Sequence, residues 1–165
     1  MIPDFLKKFE SDLKKYEREF VRIKAKPRKE KLLEDNLDLK DSKFLGKPFF
    51  PKDKEYPKDK NGKPMIMVAQ LNFEQIPELK AFPKNGILQL FLSATDWYDE
   101  DSAIIYHSFE ELDTEPMTDF SFITEKDYDE MPVYKLHQLS FEKGIDKGGS
   151  EDSQFDYLFD GNDYW

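Results

Sequence analysis

The four prolines at positions 48, 51, 57 and 64 constrain this fold more than any other feature of the sequence. A proline disfavours helical conformation at the residue before it, so no helix runs through this segment. Lysines lie between the prolines, and the apolar run MIMVAQL follows them. We predict an ordered, irregular segment that lies over the domain with its lysines in water. It should turn at Asn61-Gly62 and lead into a buried strand over 65–71.

An apolar pattern with a spacing of three or four residues precedes the prolines and predicts an amphipathic helix over 3–25. Pro3 suits the first turn of this helix, and Pro27 ends it. We expect the helix to pack on the core of the same protein. The chain then divides into an N-terminal helix over 1–27 and a β-rich domain over 28–165. The apolar positions of the helix are Ile2, Phe5, Leu6, Phe9, Leu13, Tyr16, Phe20 and Ile23.

Apolar runs bounded by Pro, Gly or Asn predict three more strands, over 86–92, 102–109 and 133–141. A short extended element is predicted over 31–39, and a helical turn is predicted to begin at Asn72, which has N-cap chemistry. The predicted fold class is α+β. The amphipathic N-terminal helix packs on a mainly antiparallel β-sheet with long, irregular, proline-rich connections.

Charge is distributed unevenly along the chain. The net charge is −10 at pH 7, yet residues 1–34 carry 11 basic and 7 acidic side chains, and residues 35–95 carry 10 and 8. Residues 96–165 carry 4 basic and 20 acidic side chains, which is a net charge of −16. Such a segment repels nucleic acid and anionic membranes, and it attracts a basic protein partner or cations.

The absence of cysteine excludes disulfides, thiol catalysis and cysteine-ligated metal sites. The N-terminal residues lack the uninterrupted apolar stretch of a signal peptide. No run reaches the ~18 apolar residues that suggest a membrane span. Together these features predict a cytoplasmic protein.

The order of residues in and after the proline-rich segment resembles the YwqG-like family, a bacterial family with a domain of unknown function (1963). The resemblance rests on S-K-x-x-G-x-P-x-x-P, Y-P, N-G-K-P, A-Q-L-N-F and F-P-x-x-G-I-L-Q-L-F, with a later Tyr106-His107 pair. It implies an α+β fold with antiparallel sheets and an N-terminal helix, and it brings no catalytic residues. Leu45 is a departure, because many members carry a second glycine there. The matching residues are Ser42, Lys43, Gly46, Pro48, Pro51, Tyr56, Pro57, Gly62, Pro64, Ala69, Gln70, Leu71, Asn72, Phe73, Pro83, Gly86, Ile87, Leu88, Gln89 and Phe91.

Length is a second departure from the family, whose members are usually longer and repeat these signals in a second half. The chain ends about where that half would begin, so it resembles the N-terminal part only. It is either a fragment of a longer member or a short natural form. Loss of half of a duplicated sheet would expose apolar faces and strand edges, which favours either a homodimer or poor stability.

No motif in the sequence identifies a catalytic or metal site. The segment 59–62 resembles the middle of a calcium-binding loop, but the ligand positions 57 and 68 are Pro and Val. His107 and His137 lie on predicted strands, and they could share a metal only if those strands were neighbours. Nucleophile and phosphate-binding motifs are absent. We therefore assign no catalytic residue, no metal and no cofactor.

Acidic and aromatic side chains stand together just before the strand predicted over 102–109. This combination is typical of surfaces that recognise a basic or cationic partner. The alternative is ordinary packing at the end of a strand. The candidate partner-binding residues are Asp96, Trp97, Tyr98, Asp99 and Asp101.

Three functional hypotheses follow. The first is a non-catalytic binding module whose acidic surface recognises a basic protein, with an immunity-type protein against a basic toxin as its narrower form. The second is an enzyme of undetected mechanism acting on a small molecule, which requires a deep pocket with His107, His137 or acidic groups of perturbed pKa. The third is a scaffold that is complete only as a homodimer.

Overall fold

The computed structural model describes residues 4–95, 97 and 101–147, and in these residues the protein is mostly β. Six strands form one sheet in the order β1-β6-β2-β3-β4-β5. Every pair with a described register is antiparallel: β2 with β3, β2 with β6, β3 with β4, and β4 with β5. The strands are β1 (Arg18–Pro27), β2 (Lys43–Phe44), β3 (Ile66–Asn72), β4 (Ile87–Leu92), β5 (Ser102–His107) and β6 (His137–Asp146).

The predicted N-terminal helix over 3–25 is wrong, and with it the α+β class. Asp4–Phe9 and Lys14–Tyr16 form 3₁₀ segments around one α-helical turn, Glu10–Leu13, and β1 follows. No helix of seven or more residues occurs in the described part of the chain. From 21 to 26 the sequence V-R-I-K-A-K alternates apolar and basic residues, a period of two that suits a strand. Pairing of β1 with β6 in the sheet outweighs the helical period of the apolar residues.

The strands predicted over 65–71, 86–92 and 102–109 are confirmed as β3, β4 and β5. The fourth prediction, 133–141, is displaced, because β6 covers His137–Asp146. The extended element predicted over 31–39 is wrong. Leu32–Glu34 is instead a 3₁₀ turn. The nearby leucines follow an irregular path and pack against the main apolar cluster, which includes Leu45, Phe50, Ile66 and Phe91.

The chain divides into two compact units, Met1–Arg22 together with Lys143–Trp165, and Ile23–Glu142. In the first unit, Lys143 Nζ lies 2.8 Å from Glu19 Oε1. The second unit contains β2, β3, β4 and β5 together with the buried core. The division at residue 27 that the sequence suggested stays a prediction.

The proline-rich segment is ordered and irregular, as predicted, and its aromatic residues fill the core beside the sheet. Phe50 and Tyr56 pack edge to face against Phe91 of β4, with ring centroids 6.3 and 5.6 Å away. Aromatic pairs of this geometry stabilise a core beyond the area that they bury. The segment thus presents aromatics to the sheet and charge to water, and its exposed lysines are Lys52, Lys54, Lys58, Lys60 and Lys63.

Two local predictions about turns are confirmed. Gly62 has a φ of 78°, the left-handed region that glycine occupies without strain, at the tip of the Asn61-Gly62 turn. Asn72 caps the helical turn Phe73–Gln75, and its Oδ1 accepts a hydrogen bond from the Glu74 N–H at 3.0 Å. Gln75 stands three residues after Asn72, a spacing that would allow a capping box, but its side-chain oxygen instead accepts from the Ser42 N–H at 2.8 Å.

Candidate functional site

A row of buried polar side chains crosses the centre of the sheet. Lys43 of β2 lies opposite Gln70 of β3, and Gln70 lies opposite Gln89 of β4. His107 ends β5 diagonally beside this row, and none of the four side chains is exposed to solvent. Buried polar groups are costly unless each finds a hydrogen-bond partner, so their partners decide what the row does.

The Gln70 amide has one possible orientation. Its Nε2 donates to the backbone oxygens of Leu39 and Asp41 at 2.7 and 2.8 Å. Its Oε1 accepts from the Phe49 N–H at 2.9 Å and from Gln89 Nε2 at 2.7 Å. This one side chain therefore joins the segment before β2, the segment after β2 and the neighbouring strand.

The orientation of Gln89 determines the tautomer of His107. Gln89 Nε2 also donates to the Phe49 backbone oxygen at 2.6 Å, which leaves Gln89 Oε1 facing His107 Nε2 at 2.9 Å. An amide oxygen only accepts, so neutral His107 carries its proton on Nε2. Its Nδ1 has no hydrogen-bond partner among the described residues, although Glu111 Oε2 lies 3.3 Å away. Burial lowers the pKa of His107, and the nearby Glu111 carboxylate opposes that shift only in part.

The other end of the row is a buried ion pair. Lys43 Nζ donates to Asp35 Oδ2 at 3.0 Å and to the Lys47 backbone oxygen at 2.9 Å. The Lys47 N–H donates to the same Asp35 oxygen at 2.9 Å, and the Leu37 N–H donates to the other at 2.9 Å. Burial lowers the pKa of Lys43, and Asp35 acts against that shift.

The turn after β2 brings its backbone close to Asp35. Leu45 and Gly46 both have positive φ, 59° and 84°. A Cβ on Gly46 would lie 2.4 Å from Asp35 Oδ2, so a side chain there would displace the carboxylate. Leu45 occupies a backbone conformation that glycine adopts freely and that costs other residues roughly 1–2 kcal/mol. Its fully buried side chain, a member of the main apolar cluster, offsets that strain.

The polar row belongs to the framework of the fold and is not an open reaction centre. Apart from His107 Nδ1, its polar groups bond to backbone partners or to each other among the described residues, and its side chains have no contact with solvent. Each of its members except Asp35 is also one of the residues that carry the family resemblance. The residues that carry the resemblance therefore belong to a hydrogen-bond network that holds irregular segments against the sheet.

The two histidines are far apart. His137 begins β6, where its Nδ1 contacts the Lys135 backbone oxygen at 2.7 Å, and His107 ends β5. Three strands separate β6 from β5, and strands lie about 4.8 Å apart, so roughly 19 Å lies between the two strands. No cluster of three or more His, Cys, Asp or Glu suited to a metal occurs in the residues that the structure describes.

A cleft of about 270 Å³ opens beside the turn after β2. Lys47, Asp119 and Ser121 are polar residues of its lining, with Phe120 and Tyr128 among the apolar ones. Burial raises the pKa of Tyr128 to about 12. Neither histidine lines this cleft, and its one carboxylate among the described lining residues is Asp119, whose pKa is lowered by hydrogen bonds from Ser121. A single acidic group is not the convergence of several groups that the enzyme hypothesis requires.

The acidic and aromatic segment before β5 is described only in part. Trp97 is half-buried and packs against the main apolar cluster, which is the ordinary strand-end packing that the sequence left as an alternative. Asp101 Oδ2 accepts a hydrogen bond from the Lys60 N–H at 2.7 Å and so contacts the proline-rich segment. The other predicted partner-binding residues, Asp96, Tyr98 and Asp99, lie outside the described residues.

Sequence reasoning missed the position of β5 at an edge of the sheet. Its outward face carries Ile104, which is 72% exposed, and Tyr106, which is 43% exposed. Phe109 just beyond the strand is 47% exposed. The alternation of SAIIYH was visible in the sequence, but strand order depends on pairings that no local pattern encodes.

Acidic side chains dominate the surface that continues from β5. They are exposed on the connection toward β6, where Ile123 and Met131 are buried and Phe109 and Phe122 are 47% and 40% exposed. The buried apolar residues hold the connection against the core, and its acidic side chains face water. The exposed acidic residues between 108 and 131 are Glu110, Asp113, Glu115, Asp119, Glu125, Asp129 and Glu130.

A family model described as a domain of unknown function, DUF1963, matches residues 42–162. No curated protein matches the chain. Within the described residues, no helix is both long enough and apolar enough to cross a membrane.

Proposed function

The chain belongs to the DUF1963 family, and from this premise we propose that it is a non-catalytic binding module that recognises a basic protein partner. The family expected from the sequence is therefore the right one, while the YwqG-like type, the bacterial source and the cytoplasmic location are parts of the proposal. An immunity-type protein against a basic toxin is the narrower form of the same idea, because it would use the same charge complementarity.

One observation carries the proposal, namely the exposed acidic surface on the connection between β5 and β6. Between 108 and 131 the chain has seven exposed carboxylates and one lysine, Lys126. Carboxylates that point to water cost little to keep charged, and their summed field attracts a cationic partner and speeds its encounter. The surface is therefore suited to recognising charge.

The buried polar row supports a binding role over the enzyme alternative. Its histidine and lysine have the perturbed pKa values that often mark active sites. Both are inaccessible and engaged in fastening the chain to itself, so structural burial accounts for the shifts.

The test is a binding titration with lysine and glutamate oligomers of equal length. We expect the lysine oligomer to bind, with an affinity that falls about tenfold or more between 50 and 300 mM salt, because salt screens charges in water. A Glu110→Lys/Asp113→Lys double variant should bind more weakly. Glu74→Lys/Glu78→Lys is the matched control, since both residues are exposed carboxylates outside this surface and the change in net charge is the same. Salt-insensitive binding, or equal loss in the control, would contradict the proposal.

A further inference from the structure

Strand β5 ends the sheet, and β4 is its only strand partner among the residues that the structure describes. In an antiparallel ladder, every second residue turns its backbone N–H and C=O away from the existing partner. Part of the β5 backbone is therefore directed to the side where a further strand could pair.

This edge lacks the devices that usually block pairing. Proteins protect edge strands with lysines, prolines, bulges or inward charges. The sequence SAIIYH has no lysine, arginine or carboxylate, its His107 is buried, and its register with β4 is continuous. At the other end of the strand order, β1 carries Arg22, Lys24 and Lys26 in alternation. Among the residues that the structure describes, one edge of the sheet is thus protected by charge and nothing pairs with the other.

The side chains around β5 indicate what kind of strand would fit. Ile104 and Tyr106 present exposed apolar surface on the outer face of the strand. Acidic residues flank it at both ends, with Asp101 before it and Glu110 and Asp113 after it. Glu111 forms an ion pair with Lys54, so the negative charge beyond the strand comes mainly from Glu110 and Asp113. The chain has no lysine or arginine from 85 to 125.

We infer that β5 is a strand-addition site for an extended basic segment of a partner protein, with alternating apolar residues at its centre and Lys or Arg at its ends. In this mode of recognition, backbone hydrogen bonds supply affinity and alternate side chains supply specificity. The apolar centre would cover Ile104, and the cationic ends would meet the flanking carboxylates. The inference rests on the proposed function and specifies where and in what conformation the basic partner binds.

A second copy of the chain fits this edge less well. Antiparallel self-pairing of β5 about Ile104 would bring the acids that precede the strand in one copy against those that follow it in the other. No acid falls directly opposite another in this register, but like charges at neighbouring positions of two paired strands repel each other. Each copy also carries a net charge of −10, which opposes association.

The test uses the whole chain and the synthetic peptide KKVTVTVKK, with EEVTVTVEE as the acidic counterpart. Calorimetry measures affinity, and amide NMR with hydrogen exchange shows which residues respond. We expect only the basic peptide to bind, with new protection of alternate amides in β5. Ile104→Lys should weaken binding at least tenfold, and Ile104→Glu should weaken it less. Ile145→Lys is the matched control, because Ile145 is 61% exposed on β6, an interior strand of the sheet.

The outcomes separate this inference from the proposed function. If the basic peptide binds but β5 amides are unchanged and Ile104→Lys has no effect, the strand-addition site is overturned while the acidic binding role stands. If neither this peptide nor a lysine oligomer binds, both fail. If light scattering shows a dimer whose β5 amides are protected without peptide, a second copy occupies the edge and the basic-partner inference is overturned. Unchanged β3 and β4 amide spectra show that each variant has kept its fold.

Discussion

Lys43 and Asp35 form an ion pair, 3.0 Å from Nζ to Oδ2, in which the side chains are 0% and 1% exposed. The pair stands where the chain leaves an irregular segment and enters β2. A buried charge that loses its partner keeps its desolvation cost, so such a pair is far more sensitive to removal of one member than an exposed pair.

Lys43→Met should therefore lower the free energy of unfolding by about 3 kcal/mol or more, because it leaves the Asp35 carboxylate buried without a cation. Denaturant unfolding at pH 7 measures the loss. Lys52→Met is the control, since the Lys52–Glu115 pair is 61% and 73% exposed and should contribute nothing measurable. Equal stability of Lys43→Met and the parent chain would mean that the charges are not paired in solution.

His107 should make the protein less stable in mild acid. Its pKa is lowered in the folded state, chiefly by burial, so below the unfolded value of about 6.5 the unfolded chain binds more protons than the folded one. The free energy of unfolding should fall as the pH drops from 7.5 to 5.5. The fall should be smaller in His107→Phe and preserved in His137→Phe, which retains His107. Identical pH profiles for the parent and His107→Phe would refute this assignment.

Asp59 should act as the hydrogen-bond acceptor of the Asn61-Gly62 turn. Its Oδ1 accepts from the N–H groups of Asn61 and Lys63 at 2.9 and 2.8 Å, and Ser93 Oγ donates to its Oδ2 at 3.0 Å. Asp59→Ala should cost at least about 1 kcal/mol, because the buried Ser93 hydroxyl and two backbone N–H groups of the turn lose their acceptor. Asp59→Asn keeps an oxygen for both backbone donors and should cost less. Thermal unfolding of the two variants checks this order, and a reversed order would exclude the acceptor role.

The same carboxylate has a pH signature. Desolvation tends to raise the pKa of Asp59, but the hydrogen bonds from Lys63, Ser93 and Asn61 outweigh it and the pKa is lowered. The Asp59 carboxylate thus stabilises the folded protein fully above its unfolded pKa of about 3.9. This contribution is lost as the pH falls through the pKa of Asp59 in the folded state.

Tyr56→Phe should leave stability unchanged or raise it. The Tyr56 hydroxyl is buried without a hydrogen-bond partner among the described residues, and burial raises its pKa. Removing an unsatisfied polar atom from an apolar core recovers part of its desolvation cost. Tyr106→Phe is the control, because Tyr106 donates to the Asn85 backbone oxygen at 3.0 Å and should lose stability. The midpoints of denaturant unfolding measure the stability of both variants. A clear loss of stability in Tyr56→Phe would mean that the Tyr56 hydroxyl has a hydrogen-bond partner.

Local sequence patterns were informative where one residue or one short run decides the structure. The runs that became β3, β4 and β5, the Gly62 turn and the Asn72 cap were all predicted. At the N-terminus two sequence periods overlap, a spacing of three or four residues and an alternation of two. The first predicts a helix over 3–25, whereas the structure has β1 paired with β6. The basic alternation over 21–26 was the signal that could have corrected it.

The candidate site was predictable only in its chemistry. The sequence located acids and aromatics near 96–101, and the structure shows Trp97 packed on the core and Asp101 bonded to the Lys60 backbone. The exposed face of β5 emerged from the strand order instead. Which strand lies at an edge depends on how distant segments of the chain pair. The residues of β5 alone do not predict that pairing.

By itself, the sequence determined the family, the uneven charge, the prolines that exclude a helix and the turns that glycine and asparagine permit, because these depend on covalent geometry and residue chemistry. Only the tertiary structure decided that Lys43, Gln70, Gln89 and His107 are buried in one network and that β5 is an edge. Burial and strand order arise from contacts between segments far apart in the chain, and such contacts exist only once the whole chain has folded.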